Sequence, residues 1–485
     1  AQKYQYDRLY GASKDLSFNS LWYNLNGGAI ESLSSNFSQW TMMSYVGRIN
    51  YGLMDRYLLT ASLRYDGSSR LSEGNKWALF PSAAIAWRIT EEDFAKNLDW
   101  LSNLKLRFSY GQAGNTNSVS PYASEGTISG SVYYPFGTST SVGNLPANIA
   151  NPMLTWERTS EYNVGLDFGF LNQRISGNIE YYNRTTNDLL MKRNIPVHLG
   201  YSSVTSNVGS VRNSGFELQL NTANIMTKNF AWNTTINLAY NKNEIVSLAD
   251  EEDLSNYSIH LQGMRGRYSD KRFIGKPVDT NWTQNTIGVW QLGEEEEAAK
   301  YGCVPGNFKI KDYNNDGKLT DDDYIIDGKR TPDWTGGMTN MFKIYDFDFS
   351  FHMYFQAGAT QYDRFFENFA LEWNSQNFNN LRTNYWTPEN PSNTMGRPSQ
   401  MGSRGNIAYE RTDFLKVSYI TLGYTLNKRL MSKWGLDNAR IYVTVQNPFI
   451  LTKFRGLDPE QPDLTNIGDT DGMTMNALLG VNISF

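Results

Sequence analysis

Residues Asp312 to Asp323 have the types and spacing of a cation-binding loop. Read as Asp312-Tyr-Asn314-Asn-Asp316-Gly317-Lys318-Leu-Thr320-Asp-Asp-Asp323, the stretch sets oxygen donors at loop positions 1, 3, 5, 9 and 12. Gly317 occupies the sharp turn at position 6, and the Lys318 carbonyl falls at position 7. Hard oxygen donors in that order suit Ca²⁺. Aspartate rather than glutamate at position 12 shortens the reach, which suits a weaker Ca²⁺ site or Mg²⁺ that keeps its waters. The same residues can also form Asx turns without a metal. Protein oxygens would saturate the ion, so the expected role is structural, not catalytic.

Aromatic residues between the periodic segments are a second candidate set: Tyr133, Tyr134, Phe136, Trp282, Trp290, Tyr301, Trp373, Tyr385 and Trp386. Sugar rings stack their C–H faces on Trp and Tyr while Asn, Asp and Arg bind the hydroxyls. Trp373 with Asn374, and Trp386 with Arg382, are therefore candidate ligand contacts, as are Trp282 and Trp290. The other reading is packing within the loops. Enzymatic chemistry finds little support, because the three histidines, His198, His260 and His352, lack metal-ligand spacing. No nucleophile elbow, Walker loop or dinucleotide fingerprint is present. The acidic run Glu294 to Glu297 reads as a solvated helix start.

The elements that must hold these residues are strands. Tyr45, Gly47, Ile49, Tyr51 and Leu53 alternate with Val46, Arg48, Asn50 and Gly52, and after Met54-Asp55 the rhythm resumes at Tyr57. Tyr162 to Phe170, Phe230 to Tyr240, Tyr345 to Phe355 and Ile441 to Val445 repeat it. The last eleven residues end on Phe485, with Ala477, Leu479, Val481 and Ile483 on one face. About 13 strands are expected between residues 39 and 485, with residues 1–38 forming a large loop. Short links alternate with long ones at 113–154, 247–332, 359–412 and 453–474. A soluble sandwich also alternates along its strands, but it has no reason to sort its loops by length. A membrane barrel does, with the long loops outside the cell. Residues 90–102 read as one capped helical turn on the short side, and Tyr181, Tyr240 and Phe355 as an interfacial girdle.

Composition agrees with strands in a membrane. The 485 residues include 30 Tyr, 25 Phe and 13 Trp, yet mean hydropathy is −0.52 and no apolar run approaches the ~18 residues of a spanning helix. A net charge of −5 gives nucleic acid no electrostatic footprint. The single Cys303 permits no internal disulfide.

Several segments in order identify a family. Ser44-Tyr-Val-Gly-Arg-Ile-Asn-Tyr51, Asp55-Arg-Tyr-Leu-Leu-Thr-Ala-Ser62, Arg64-Tyr-Asp-Gly-Ser-Ser-Arg70, Phe80-Pro-Ser82 and Ala86-Trp-Arg-Ile89 resemble the mid-barrel signature of SusC/RagA-like TonB-dependent transporters. Ser109-Tyr-Gly-Gln-Ala-Gly-Asn115, Trp156-Glu-Arg158, Asn213-Ser-Gly-Phe-Glu217, Asn447-Pro-Phe449 and Gly456-Leu-Asp-Pro-Glu460 continue the resemblance toward the C-terminus. It implies an all-β fold, the C-terminal part of a 22-stranded transmembrane antiparallel barrel in a bacterial outer membrane, filled by an N-terminal plug. It also implies a SusD-like surface lipoprotein partner that closes as a lid, energy from TonB through the plug-bearing part, and an oligosaccharide or oligopeptide cargo. Family members often carry a segment like 312–323, and the loop aromatics could equally contact the lid. A passive porin-like barrel and a soluble glycan-binding β-protein are the alternatives from other classes.

Overall fold

The computed structural model describes the chain except for residues 17, 19, 21–23, 196–197, 199, 202, 249–254, 257–264, 268–271, 372–382, 399–402, 428–430, 432–434, 463–472 and 485. Among the described residues fourteen strands form one sheet in which each pairs antiparallel with the next of the fourteen. They are β1 (Gln2–Lys14), β2 (Ala29–Leu53), β3 (Tyr57–Ser68), β4 (Trp77–Arg88), β5 (Leu101–Asn115), β6 (Glu157–Phe170) and β7 (Ile175–Asn187). The series continues with β8 (Ser210–Met226), β9 (Phe230–Ser247), β10 (Trp334–Ile344), β11 (Phe347–Ala357), β12 (Phe414–Thr425), β13 (Asn438–Thr452) and β14 (Asn476–Ser484). No helix among the described residues is long and apolar enough to cross a membrane, which says nothing of crossing by strands.

Each alternating segment becomes a strand because its two faces meet different surroundings. Cross-strand registry carries Tyr51, Leu59, Ile85, Phe108, Val164 and Tyr181 along one row of the apolar face. The polar face carries Arg64, Arg107, Asp167, Glu180 and Asp348, each bonded to a neighbour on that same face. Most of the apolar side chains stay open to the surroundings, as suits a wall that meets hydrocarbon. Aromatics bracket this face at a fixed interval of eight residues: Tyr57 and Tyr65, Tyr162 and Phe170, Trp232 and Tyr240, Trp334 and Phe342, Phe347 and Phe355. That interval is roughly 27 Å along a strand, or about 20 Å once tilted as barrel strands are.

Met54 and Asp55 both adopt left-handed φ, 53° and 55°, the geometry of a tight hairpin whose twist matches its strands. Links at the same end are 171–174, 227–229 and 345–346, with two longer ones at 89–100 and 426–437. The opposite end carries 116–156, 248–333, 358–413 and 453–475, together with the shorter 15–28, 69–76 and 188–209. Residues 89–100 open with a 3-10 turn, Ile89–Glu91, and Glu92 there accepts from Arg56, Tyr57 and Trp87.

One expectation is overturned. Residues 1–38 are not a loop: β1 pairs with Ala29–Met42 of β2, so the thirteen strands from β2 onward gain a partner before them. Glutamine and serine occur on both faces of this ribbon, and its large side chains are split between them, tyrosine on one and leucine with phenylalanine on the other, which hides its two-residue period from a test based on hydrophobicity.

Candidate functional site

The polar face forms a continuous hydrogen-bonding wall. Arg107 on β5 reaches Asp167 on β6 and Glu180 on β7, both at 2.7 Å, while Lys105 holds the other Asp167 oxygen at 2.6 Å. The guanidinium can cross β6 because Gly165 stands in that row, where an added Cβ would lie 2.9 Å from Nη2. Asn163 and Asn178 donate to Glu180, so every charge in the group is compensated. Gly215 works the same way: Tyr182 on β7 extends over it to donate to Asn241 on β9, and a Cβ at 215 would collide with the Tyr240 carbonyl at 2.0 Å. Farther along, Arg440 on β13 passes over Gly423 to Asp348 on β11.

Between these networks lies a hollow of about 380 Å³, lined by Asn178, Glu217, Gln219, Asn237, His352 and Tyr354, with Gly337 at its floor. His352 shares a hydrogen with Thr339 at 2.9 Å and stacks on Tyr419. Most of these residues could be seen in sequence as the polar half of the alternation. The hollow itself could not, because its walls come from five strands.

The long-loop end has its own cores. Leu71, Phe80, Val119, Leu154, Trp156 and Leu190 bury one another where loops 69–76, 116–156 and 188–209 meet the polar wall. Loops 248–333 and 358–413 pack together around Val289, Phe308, Ile310, Phe366, Trp386 and Met395. Short ribbons stiffen them, Thr280–Gln284 with Tyr324–Lys329 and Thr360–Tyr362 with Tyr409–Arg411.

This packing places three of the tryptophans. Trp282 lies between Phe273 and Tyr324, Trp290 stacks on Tyr301 beneath the Lys309 ammonium, and Trp386 sits in the loop core with Nε1 donating to Gln291. All three are buried within the chain. Trp373, Asn374 and Arg382 lie outside the described residues.

The 312–323 loop winds as its sequence requires. Asp312 accepts from the N–H groups of Asn315 and Gly317 and from the Tyr301 hydroxyl. Burial pushes its carboxyl up, but those donors outweigh burial and hold it below the usual carboxylate range. Asn314 and Asp316 cap the N–H groups two residues on, and Gly317 takes φ 79°. Asp323 is fully buried and clamps the loop by accepting from Tyr313 and Thr320. Among the described residues no three His, Cys, Asp or Glu side chains converge as a metal group. The expected donor set includes three carboxylates, Asp312, Asp316 and Asp323, and these are among the side chains that do not converge in this structure.

Comparison with known proteins follows from this geometry. The family described as TonB dependent receptor-like, β-barrel, matches residues 1–447. The TonB-dependent receptor SusC of Bacteroides thetaiotaomicron is 35% identical over 457 residues, covering 92% of this chain and 44% of its own length. The TonB-dependent receptor P26 of Formosa agariphila is 33% identical over 471 residues, covering 93% and 47%. The chain thus spans about half the length of these curated relatives. Among solved structures, that of the RagAB peptide transporter superposes over 100% of this chain and 52% of its own, with TM-score 0.79 and 24% identity, a likeness of fold.

Proposed function

We propose an import function from one premise: this chain belongs to the TonB-dependent receptor-like β-barrel family. It is an outer-membrane β-barrel protein, and its relatives are receptors and not enzymes. The proposed activity of the whole protein is TonB-driven uptake of oligosaccharides or oligopeptides, with a SusD-like lipoprotein closing over the long-loop end. An N-terminal plug-bearing part would transmit the pull of TonB. One observation carries the reading: the inner wall from Arg64 to Arg440 is hydrogen-bonding throughout, while the loop end is built into rigid packed cores, as a path and a docking rim require. The likeness of fold to the RagAB peptide transporter is in keeping with the oligopeptide as one of the two cargo classes.

The same reading gives the 312–323 loop a structural Ca²⁺, or Mg²⁺ with waters, held by Asp312, Asn314, Asp316, the Lys318 carbonyl, Thr320 and Asp323. Its support is the donor order and the left-handed Gly317.

The test is uptake of a labelled nutrient by cells expressing the full-length protein, with and without TonB. Uptake that collapses without TonB is the expected result. Equal uptake in both strains would establish the passive porin reading, and recovery without detergent would establish a soluble binder.

A further inference from the structure

We propose that Tyr4, Tyr6 and Tyr10 form an aromatic ladder that binds an oligosaccharide along the inner side of the β1–β2 ribbon. The ribbon rises past the end of β3, whose last residue, Ser68, pairs with Met42, and β1 runs from there for thirteen residues, roughly 40 Å. Its two faces differ in chemistry. Tyr4, Tyr6, Arg8 and Tyr10 on β1 stand opposite Trp40, Ser38, Asn36 and Ser34 on β2, all on one face. The other face presents Leu9, Leu33 and Phe37, exposed by 79%, 70% and 55%.

The tyrosine face is continuous with the polar wall. Along β2 the same parity leads from Trp40 through Met42, which packs on the core at the mouth, to Ser44, which accepts from Arg64 on the wall. The ladder therefore begins where the lumen opens. Its base is rigid: Trp40 is held between Tyr4, stacked at 5.8 Å, and the Arg70 guanidinium, 4.5 Å from the ring. Arg70 is itself buried and fixed by the carbonyls of Thr116 and Val119. Above this base Tyr6 and Tyr10 keep 40% and 45% of their surface open. They stand four residues apart, roughly 13 Å, the span of a short oligosaccharide.

The flanking chemistry selects the ligand. Ser34, Asn36 and Ser38 offer hydroxyl and amide groups beside every ring, Arg8 lies against Tyr10, and no carboxylate stands on this face. Rings beside uncharged hydrogen-bonding groups match the two surfaces of a sugar, its C–H face and its hydroxyl rim, and the cations Arg8 and Arg70 admit neutral or anionic glycans. The proposal rests on the import reading and narrows its cargo to glycans.

The experiment uses the detergent-purified full-length transporter and calorimetric titration with maltoheptaose, laminarihexaose, xylohexaose and a twelve-residue Ala/Gly/Ser peptide. At least one oligosaccharide binds the unmodified protein. Tyr6→Ala with Tyr10→Ala weakens that binding by about tenfold or more, as expected for two lost stacking contacts. Tyr6→Phe with Tyr10→Phe stays within about threefold, and Leu9→Ser with Leu33→Ser on the opposite face leaves affinity unchanged. Unaltered affinity in the alanine variant overturns the ladder, as does a peptide being the ligand lost, or no oligosaccharide binding to the unmodified protein. TonB-dependent uptake measured on the same variants separates the two ideas: it persists if only the ladder fails, and is absent if the import reading fails.

Discussion

At the scale of single residues, Asp363 is the group most constrained by its surroundings. It is fully buried, with one carboxylate oxygen accepting from the Phe366 N–H at 2.9 Å and the other without a protein partner. Gly456 presses against it so closely that a Cβ there would lie 3.0 Å from Oδ1, and Glu410 and Arg455 are the charged groups beside it. Burial pushes its pKa up to about 6 from 3.8, against the pull of the Phe366 N–H. A raised carboxyl pKa means that the folded junction binds the proton more tightly than the unfolded chain. The stabilisation is complete below about pH 4 and is lost as pH rises through about 6, an effect of roughly 3 kcal/mol. Protection factors for hydrogen exchange at residues 359–367, corrected for the pH dependence of the intrinsic exchange rate, should therefore be higher at pH 5 than at pH 7.5, and Asp363→Asn should remove the difference. Protection that ignores pH in the unmodified protein would contradict this. Nothing in the local sequence Gln361-Tyr-Asp-Arg singles out Asp363, because its burial is made by loop 453–475, ninety residues away.

Elements differ in how much of them their own sequence specifies. The 312–323 loop is local, so its sharp turn at Gly317 was legible from spacing, whereas the clamp that Asp323 makes on the Tyr313 and Thr320 N–H groups was not. Its proposed ion is open to a direct test on the full-length protein. Millimolar Ca²⁺ should raise the thermal midpoint and EGTA should lower it, since ligand at a hundred times Kd adds about 2.7 kcal/mol. Asp312→Asn should abolish the response. An unmodified protein indifferent to both reagents, or a variant that responds equally, would leave the loop as a metal-free turn. The β1–β2 ribbon is the opposite case. Its period was hidden because both faces stand outside the apolar belt, and only the pairing of Gln2 with Met42 reveals it.

Across the whole molecule the two faces of the sheet should behave as different solvents. Ile179 is an exposed apolar residue in a row with Leu166 and Leu218, while Asn237 lines the hollow on the other face. Ile179→Arg should lower stability in lipid vesicles by roughly 2–4 kcal/mol if it meets the bilayer midplane, and Asn237→Arg by far less. Denaturant titration followed by tryptophan fluorescence measures both, and equal losses would refute the assignment of inside and outside.

From Tyr45 onward sequence alone determined the strands, their faces and the sorting of their links, because a two-residue rhythm and a turn are set by neighbours in the chain. It also determined family membership, through ordered segments from Ser44 to Glu460. Tertiary structure decided which polar residues meet. Arg107 joins Glu180 only because Gly165 leaves the crossing open, and Trp282, Trp290 and Trp386 became packing residues only when distant loops closed over them. The physical reason is range. Alternation is encoded in steps of two residues, whereas a hollow, a buried carboxyl or a ladder above a barrel mouth depends on side chains that the register brings together from strands and loops far apart in the chain.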